Sequence, residues 1–192
     1  EMLHPLAQID SVEDLDSLPW HHVDVEGATQ ELRPQVQKLH EKGFVVVLPL
    51  ECTVFENVWY RRSMELFFSD LADGNPVSER LLTIFEDRST RIGTAGALAG
   101  VDLVRLGDDV GTQRGMLMSV GQWREVLKPR LARVARAIRN AADGRRIYLQ
   151  YHSDGDIRPI LGDLVEIGID ILNPVQPECM PLEEVVPEWK DR

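Results

Sequence analysis

The chain has 192 residues, 43% of them hydrophobic and 28% charged, which suits one domain with a sizeable core and excludes a disordered or fibrous class. Thirty-two acidic against twenty-one basic side chains leave a net charge of −11, arguing against general attraction to nucleic acid or anionic membrane, with Arg61–Arg62 and Arg145–Arg146 as candidate local basic patches. Two cysteines, Cys52 and Cys179, exclude a disulfide framework and make a reducing cytoplasm the expected location; no apolar run suggests a membrane span, and no signal peptide is recognisable.

Along the chain, glycine and proline punctuate a regular alternation. Residues 28–42 place Leu32, Val36 and Leu39 at helical spacing and stop at Gly43, and the apolar run Phe44 to Leu48 predicts a buried strand. A second helical region is expected from about Val54 to Leu71, with Trp59 and Tyr60 as packing residues. Asn75-Pro76 caps a third helix that reaches Ala99, Gly100 ends it, and Val101 to Leu106 form the next strand. Ser119 with Gln122 opens a helical region re-set at Pro129, Gly144 closes it, and Arg146 to Tyr151 form a strand. Asp156 caps a short helix through Ile167, and Ile169 to Leu172 make the fourth strand. Strands separated by helices imply parallel pairing through right-handed crossovers. With no linker, repeat or low-complexity tract, residues 1–192 read as a single domain.

Four parallel strands cannot close a barrel, which takes eight, and an open parallel edge is a pairing template. A Rossmann-like sheet would need a glycine-rich phosphate turn after the first strand, where this chain has PLECTVFE. The expected fold is therefore α/β, part of a (β/α)8 barrel with roughly four strands, completed by missing segments or by a homo-oligomer.

Three polar loops follow the last three strands, at the positions where such barrels collect catalytic groups. In GDDVGTQ, Asp108 and Asp109 put two carboxylates at a strand exit and Gln113 adds an amide; the loop suits substrate or metal binding, or else a solvated turn. In YHSDGDI, His152 and Asp154 lie two apart, so an extended backbone turns both to one side, towards one metal ion or one substrate proton; Gln150 alternates onto the same face. The plainer alternative is a satisfied strand-end histidine and a turn-forming aspartate. In LNPVQPE, Asn173 and Gln176 offer amides on a proline-stiffened loop, while Glu178 and Cys179 read as structural. Glu51, after the first strand, is a further axial carboxylate.

These loops, with Ser119, Trp123 and Pro129, the His152-Ser153-Asp154-Gly155 turn, the run Gly168 to Pro177 and the opening HPLAQIDSVEDLDSLPW, resemble the uroporphyrinogen decarboxylase superfamily, which includes cobalamin-dependent methyltransferases. The resemblance implies a (β/α)8 barrel with its pocket at the strand C-termini, of which this chain matches the middle, without counterparts of the first and last strands. Glu1 in place of a methionine agrees with an excised or processed segment.

Decarboxylases of the superfamily carry an arginine-rich segment near the N-terminus that binds substrate carboxylates, and its counterpart would lie before Glu1. The GDDVGTQ and HSDG loops resemble the methyltransferase side more closely, where a His-x-Cys pair and a distant Cys bind zinc and hold a thiolate. His152 matches the imidazole; Asp154 stands where the paired cysteine would be, and its harder oxygen weakens the case for a thiolate-rich zinc centre. The leading expectation is a corrinoid-linked methyltransferase-like enzyme of the superfamily. In it Asp109, His152 and Asp154 handle protons or a metal (zinc as one candidate, held by His152 and Asp154), and Asp108, Gln113, Gln150, Asn173 and Gln176 orient a small-molecule, tetrapyrrole or corrinoid substrate. The alternatives are decarboxylation of a tetrapyrrole in porphyrin biosynthesis, and a catalytically silent fragment or assembly module.

Overall fold

The computed structural model describes residues 3–189. Four strands, β1 (Val47–Glu51), β2 (Leu103–Gly107), β5 (Tyr148–His152) and β6 (Ile171–Asn173), form one sheet in the order β1-β2-β5-β6, with every pairing parallel. A two-residue hairpin, β3 (Gly111–Thr112) and β4 (Gly115–Met116), stands on the exit of β2. Helices α1 (Val12–Asp16) and α2 (Val25–His40) precede β1. Between β1 and β2 come α3 (Phe55–Arg62), α4 (Met64–Asp73) and α5 (Pro76–Ala99); α6 (Val120–Val126) and α7 (Lys128–Ala141) lead to β5, α8 (Leu161–Glu166) to β6, and α9 (Leu182–Trp189) follows. The architecture is that of part of a (β/α)8 barrel, with no closed barrel among the described residues. No described helix is long and apolar enough to cross a membrane.

Period-two alternation sorts the strand residues into two faces. Leu50, Val104, Leu106, Leu149 and Tyr151 point outwards and are buried under the helices, where Phe85, Leu131, Val134 and Ile138 meet them in the core. The axial face is built in layers that the register fixes: Val47, Leu103 and Tyr148 at the bottom, Pro49, Arg105, Gln150 and Ile171 in the middle, and Glu51, Gly107, His152 and Asn173 at the top. Apolar below and polar at the strand exits, this face leads to one chemical rim.

Each strand starts two or three residues later than the apolar run predicts. Phe44 and Val45 remain exposed, while Val101 and Ile147 are buried beneath the sheet. A continuous apolar run carries no period, so it marks a strand without fixing its start. What fixes it is a pair of aspartates: Asp102 Oδ2 accepts from Val46 N–H at 2.7 Å, and Asp170 Oδ2 from Leu149 N–H at 2.7 Å, each tying the base of one strand to its neighbour. The helix expected over 54–71 is broken at Ser63, whose φ of 78° separates α3 from α4. Arg62, expected in a surface basic patch, is buried in a bidentate pair with Asp70, and Arg145 donates to Val101 O and Ala97 O.

Candidate functional site

The rim begins with Asp108. Its carboxylate is fully buried and turns away from the axis to the start of α3, accepting from Val54 N–H at 3.1 Å and Glu56 N–H at 2.9 Å. Val54 provides no side-chain cap, so Asp108 satisfies the orphan amides of that helix from another strand. Burial pushes the Asp108 pKa up, with the backbone amides opposing it. Asp109, next in sequence, points the opposite way into the mouth of the sheet.

Asp109, His152 and Asp154 converge there. One ligand-type atom from each lies within 4.8 Å of the others. Asp109 Oδ1 accepts from Asp154 N–H at 2.8 Å and stands 3.8 Å from His152 Nε2. On the far side of the ring, His152 Nδ1 meets Asn173 Oδ1 at 2.9 Å. An amide oxygen accepts only, so Nδ1 carries the proton in the neutral ring and Nε2 turns its lone pair to the carboxylates. An imidazole fixed through one nitrogen so that the other is free is the arrangement that orients metal-binding histidines.

The backbone beneath is locked. Gly107 lies opposite His152 in the register, and a Cβ there would meet His152 O at 2.5 Å, so only glycine lets β2 and β5 close up at the rim. Gly155 has φ 83°, and a Cβ on it would meet Gly111 and Thr112 backbone atoms at 2.5 Å. Its N–H donates to Gln176 Oε1 at 3.0 Å, while Ser153 Oγ accepts from Val110 N–H at 3.1 Å. These contacts pin the GDDVGTQ, HSDG and NPVQPE loops to one another.

The expected residues therefore separate. Asp109, His152, Asp154 and Asn173 share one cluster, and Gln176 supports it from behind. Gln150 lies one layer lower on the axial face, in register with Arg105 and Ile171. Glu51 pairs with Arg105. Gln113 is exposed at the tip of the β3–β4 hairpin, and Asp108 is buried under the rim.

The sequence reading missed Glu56. This side chain, on the first turn of α3, is buried beside Asp109, whose backbone N–H it accepts; Tyr60 Oη donates to its Oε1 at 3.1 Å. Burial, then the like charge of Asp109, raises the Glu56 pKa despite these bonds. Tyr60, expected to pack, is thus a polar member of the rim, its pKa pushed up to about 12 by burial and by Glu56. Cys52 joins from the β1 exit at φ 55°, its thiol raised to about 12 by burial and by the neighbouring Glu56 and Asp108 carboxylates. Thr53-x-x-Glu56 is a capping-box spacing and was the available signal. Its meaning changed in the fold, because Thr53 Oγ1 instead accepts from Gly107 N–H at 2.8 Å.

As for chemistry, the cluster offers one imidazole nitrogen and two carboxylates. That set suits a divalent cation with oxygen and nitrogen ligands, zinc included, and lacks the thiolates of a soft centre.

Comparison with known proteins agrees with this geometry. A solved structure, a methyltransferase from Methanosarcina mazei, superposes with a TM-score of 0.58 at 22% identity over 76% of this chain and 40% of that one, a likeness of fold. The chain thus spans about two fifths of that protein's length. No curated protein matches. The family model for uroporphyrinogen decarboxylase (URO-D) matches residues 53–182, well over half of the chain and all three rim loops, and the chain belongs to that family.

Proposed function

We propose that this chain carries the metal-binding half of the active site of a corrinoid-linked methyltransferase-like enzyme. The observation that carries the proposal is the convergence of Asp109, His152 and Asp154 within 4.8 Å, with His152 Nε2 left available by the Asn173 bond. His152 and Asp154 are the ligands, with Asp109 as third ligand or proton acceptor. Bound there, a divalent cation supplies Lewis acidity, lowering the pKa of a substrate thiol or hydroxyl. The protein's own part is orientation: Asn173 holds the imidazole, Gln176 holds the Gly155 turn, and Asp109, with Oδ1 engaged by the Asp154 amide, keeps Oδ2 for the cation or a substrate proton. Gln150 and Gln113 are the amides from which a small-molecule substrate takes its orientation. Tetrapyrrole decarboxylation is the second reading, favoured by Asp109 as a half-exposed carboxylate at the mouth, able to exchange a proton with substrate.

Metal content after dialysis against zinc, cobalt and manganese tests the site. One equivalent is expected in the native chain and none in His152→Ala, while Asn173→Ala weakens affinity by about tenfold to a hundredfold. A native chain that stays metal-free under these conditions removes the metal from the proposal. Methylcobalamin with a thiol acceptor, followed by corrinoid absorbance in a protein that includes this chain, separates the reactions: an unchanged spectrum favours decarboxylation.

A further inference from the structure

A second recess lies on the helical layer, away from the strand exits. It is a groove of about 630 Å³ between residues 16–23 and the first half of α5. Leu18, Pro19, Trp20 and Ile84 give it an apolar wall, and the Trp20 ring is held edge-on to Phe85 at 5.9 Å. Two acids line the groove and both are already neutralised: Asp16 Oδ1 pairs with Arg80 Nε at 2.7 Å, and Asp87 Oδ2 with Arg91 Nε at 2.7 Å.

The donors are left over. The Arg88 side chain is exposed and, among the described residues, has no ion pair or hydrogen bond; the same holds for the side chains of His21 and His22. Near Arg88, over Phe85 one helical turn back along α5, stands a second guanidinium, Arg61, which among the described residues also lacks an acidic partner. It lies over the Phe85 ring at 4.6 Å and donates to Asn57 O at 2.9 Å and Asn57 Oδ1 at 2.8 Å, all neutral groups. Burial and then the like charge of Arg88 press on Arg61, lowering its pKa. In a chain of net charge −11, with acids to spare, two adjacent arginines without a carboxylate form a local excess of positive charge that an anion would relieve.

We propose that this groove binds a small oxyanion carried on an apolar body, a carboxylate or a phosphate monoester, with Arg88 as the anion contact, Arg61 reinforcing its field, His21 and His22 as further donors, and the Trp20 wall receiving the body. A guanidinium fork matches either oxyanion in two-point geometry. The site is separate from the Asp109–His152–Asp154 cluster, and its occupancy is independent of the metal.

Phenyl phosphate, benzoate and inorganic phosphate are the probes, titrated by calorimetry and by the shift of the Trp20 indole N–H resonance. Saturable binding of phenyl phosphate or benzoate is expected, with the tighter of the two identifying the oxyanion. Arg88→Ala should weaken it by about tenfold, as expected for loss of a charge-assisted hydrogen-bonded contact. Arg88→Lys should recover part of the affinity, and His152→Ala should change nothing. Arg88 is exposed and unpaired, so an unchanged melting temperature in Arg88→Ala certifies the fold. The proposal is overturned by absence of saturable binding, by equal affinity in Arg88→Ala, or by inorganic phosphate binding as tightly as phenyl phosphate, which would leave the apolar wall without a role.

Discussion

Cys52 illustrates how neighbours decide what a side chain can do. A thiol at a strand exit beside a cluster of one histidine and two aspartates invites the reading of a nucleophile or a soft metal ligand, yet burial and the Glu56 and Asp108 carboxylates raise it to about 12. The reactive species is the thiolate, and a rise from 9.0 to about 12 lowers its fraction at neutral pH by about a thousandfold. In Cys179→Ser protein, alkylation of Cys52 by iodoacetamide at pH 8 should run at least about tenfold slower than that of a free cysteine, and Glu56→Gln should accelerate it. A rate equal to free cysteine would show that the carboxylates do not govern the thiol. The same neighbours explain what was legible beforehand. Asp109, His152, Asp154 and Asn173 could be picked out because each ends or follows a strand in one loop pattern. Glu56 could not, since its place depends on α3 turning back over β2, a contact between residues about fifty apart in sequence.

Elements were easier to detect than to delimit. All four strands and the long helices follow from apolar runs and Gly or Pro punctuation, but their starts are set by Asp102 and Asp170, whose carboxylates reach across to the next strand. Burial works to raise the Asp102 pKa, and the Val46 amide, then His40, more than reverse it, holding it below the usual aspartate range. A folded pKa below the unfolded one means stability present above the unfolded value and lost as pH falls through the folded one. Asp102→Asn should therefore lower the urea midpoint at pH 7, with the difference shrinking towards pH 3; a difference independent of pH would locate the effect in packing. Arg62 binds a different set of elements. It pairs with Asp70 at 2.9 Å and donates to Leu6 O at 3.0 Å and Ile9 O at 2.5 Å, while Ser78 Oγ donates to Asp70 at 2.6 Å, so one buried network ties the N-terminal segment to α3, α4 and α5. Removing one partner strands the other charge, so Arg62→Ala should cost about 3–5 kcal/mol of unfolding free energy in urea titrations, and the double variant Arg62→Ala with Asp70→Ala less than the sum of the two single changes. Additive losses would argue against a coupled pair.

For the whole molecule the governing fact is that the axial face has no opposite wall among the described residues. In a closed barrel these side chains fill the interior. Here Val47 is 44% exposed, Tyr148 37% and Ile171 38%, and Phe44 and Val45 beside them are 58% and 72% exposed. Both sheet edges, β1 and β6, carry backbone groups with no strand beyond them in the described sheet. An apolar face flanked by two open parallel edges is a surface for further strands, from a longer chain or from another copy. We expect the 192-residue chain by itself to associate in sedimentation velocity, or to enhance the fluorescence of an apolar dye. Tyr148→Lys with Ile171→Lys should reduce both, because charge on the axial face opposes its burial while leaving the helix-facing core of Leu149, Tyr151 and Val104 intact. The Asp109–His152–Asp154 cluster lies at the strand exits, one layer above Ile171 and two above Tyr148, so the double variant should retain the proposed metal binding. Association and metal affinity lost together would mean that the rim acquires its geometry only when the face is covered. A monomer that neither associates nor binds dye would show that the open half-barrel is tolerated as it stands, and the expected need for covering strands would be wrong.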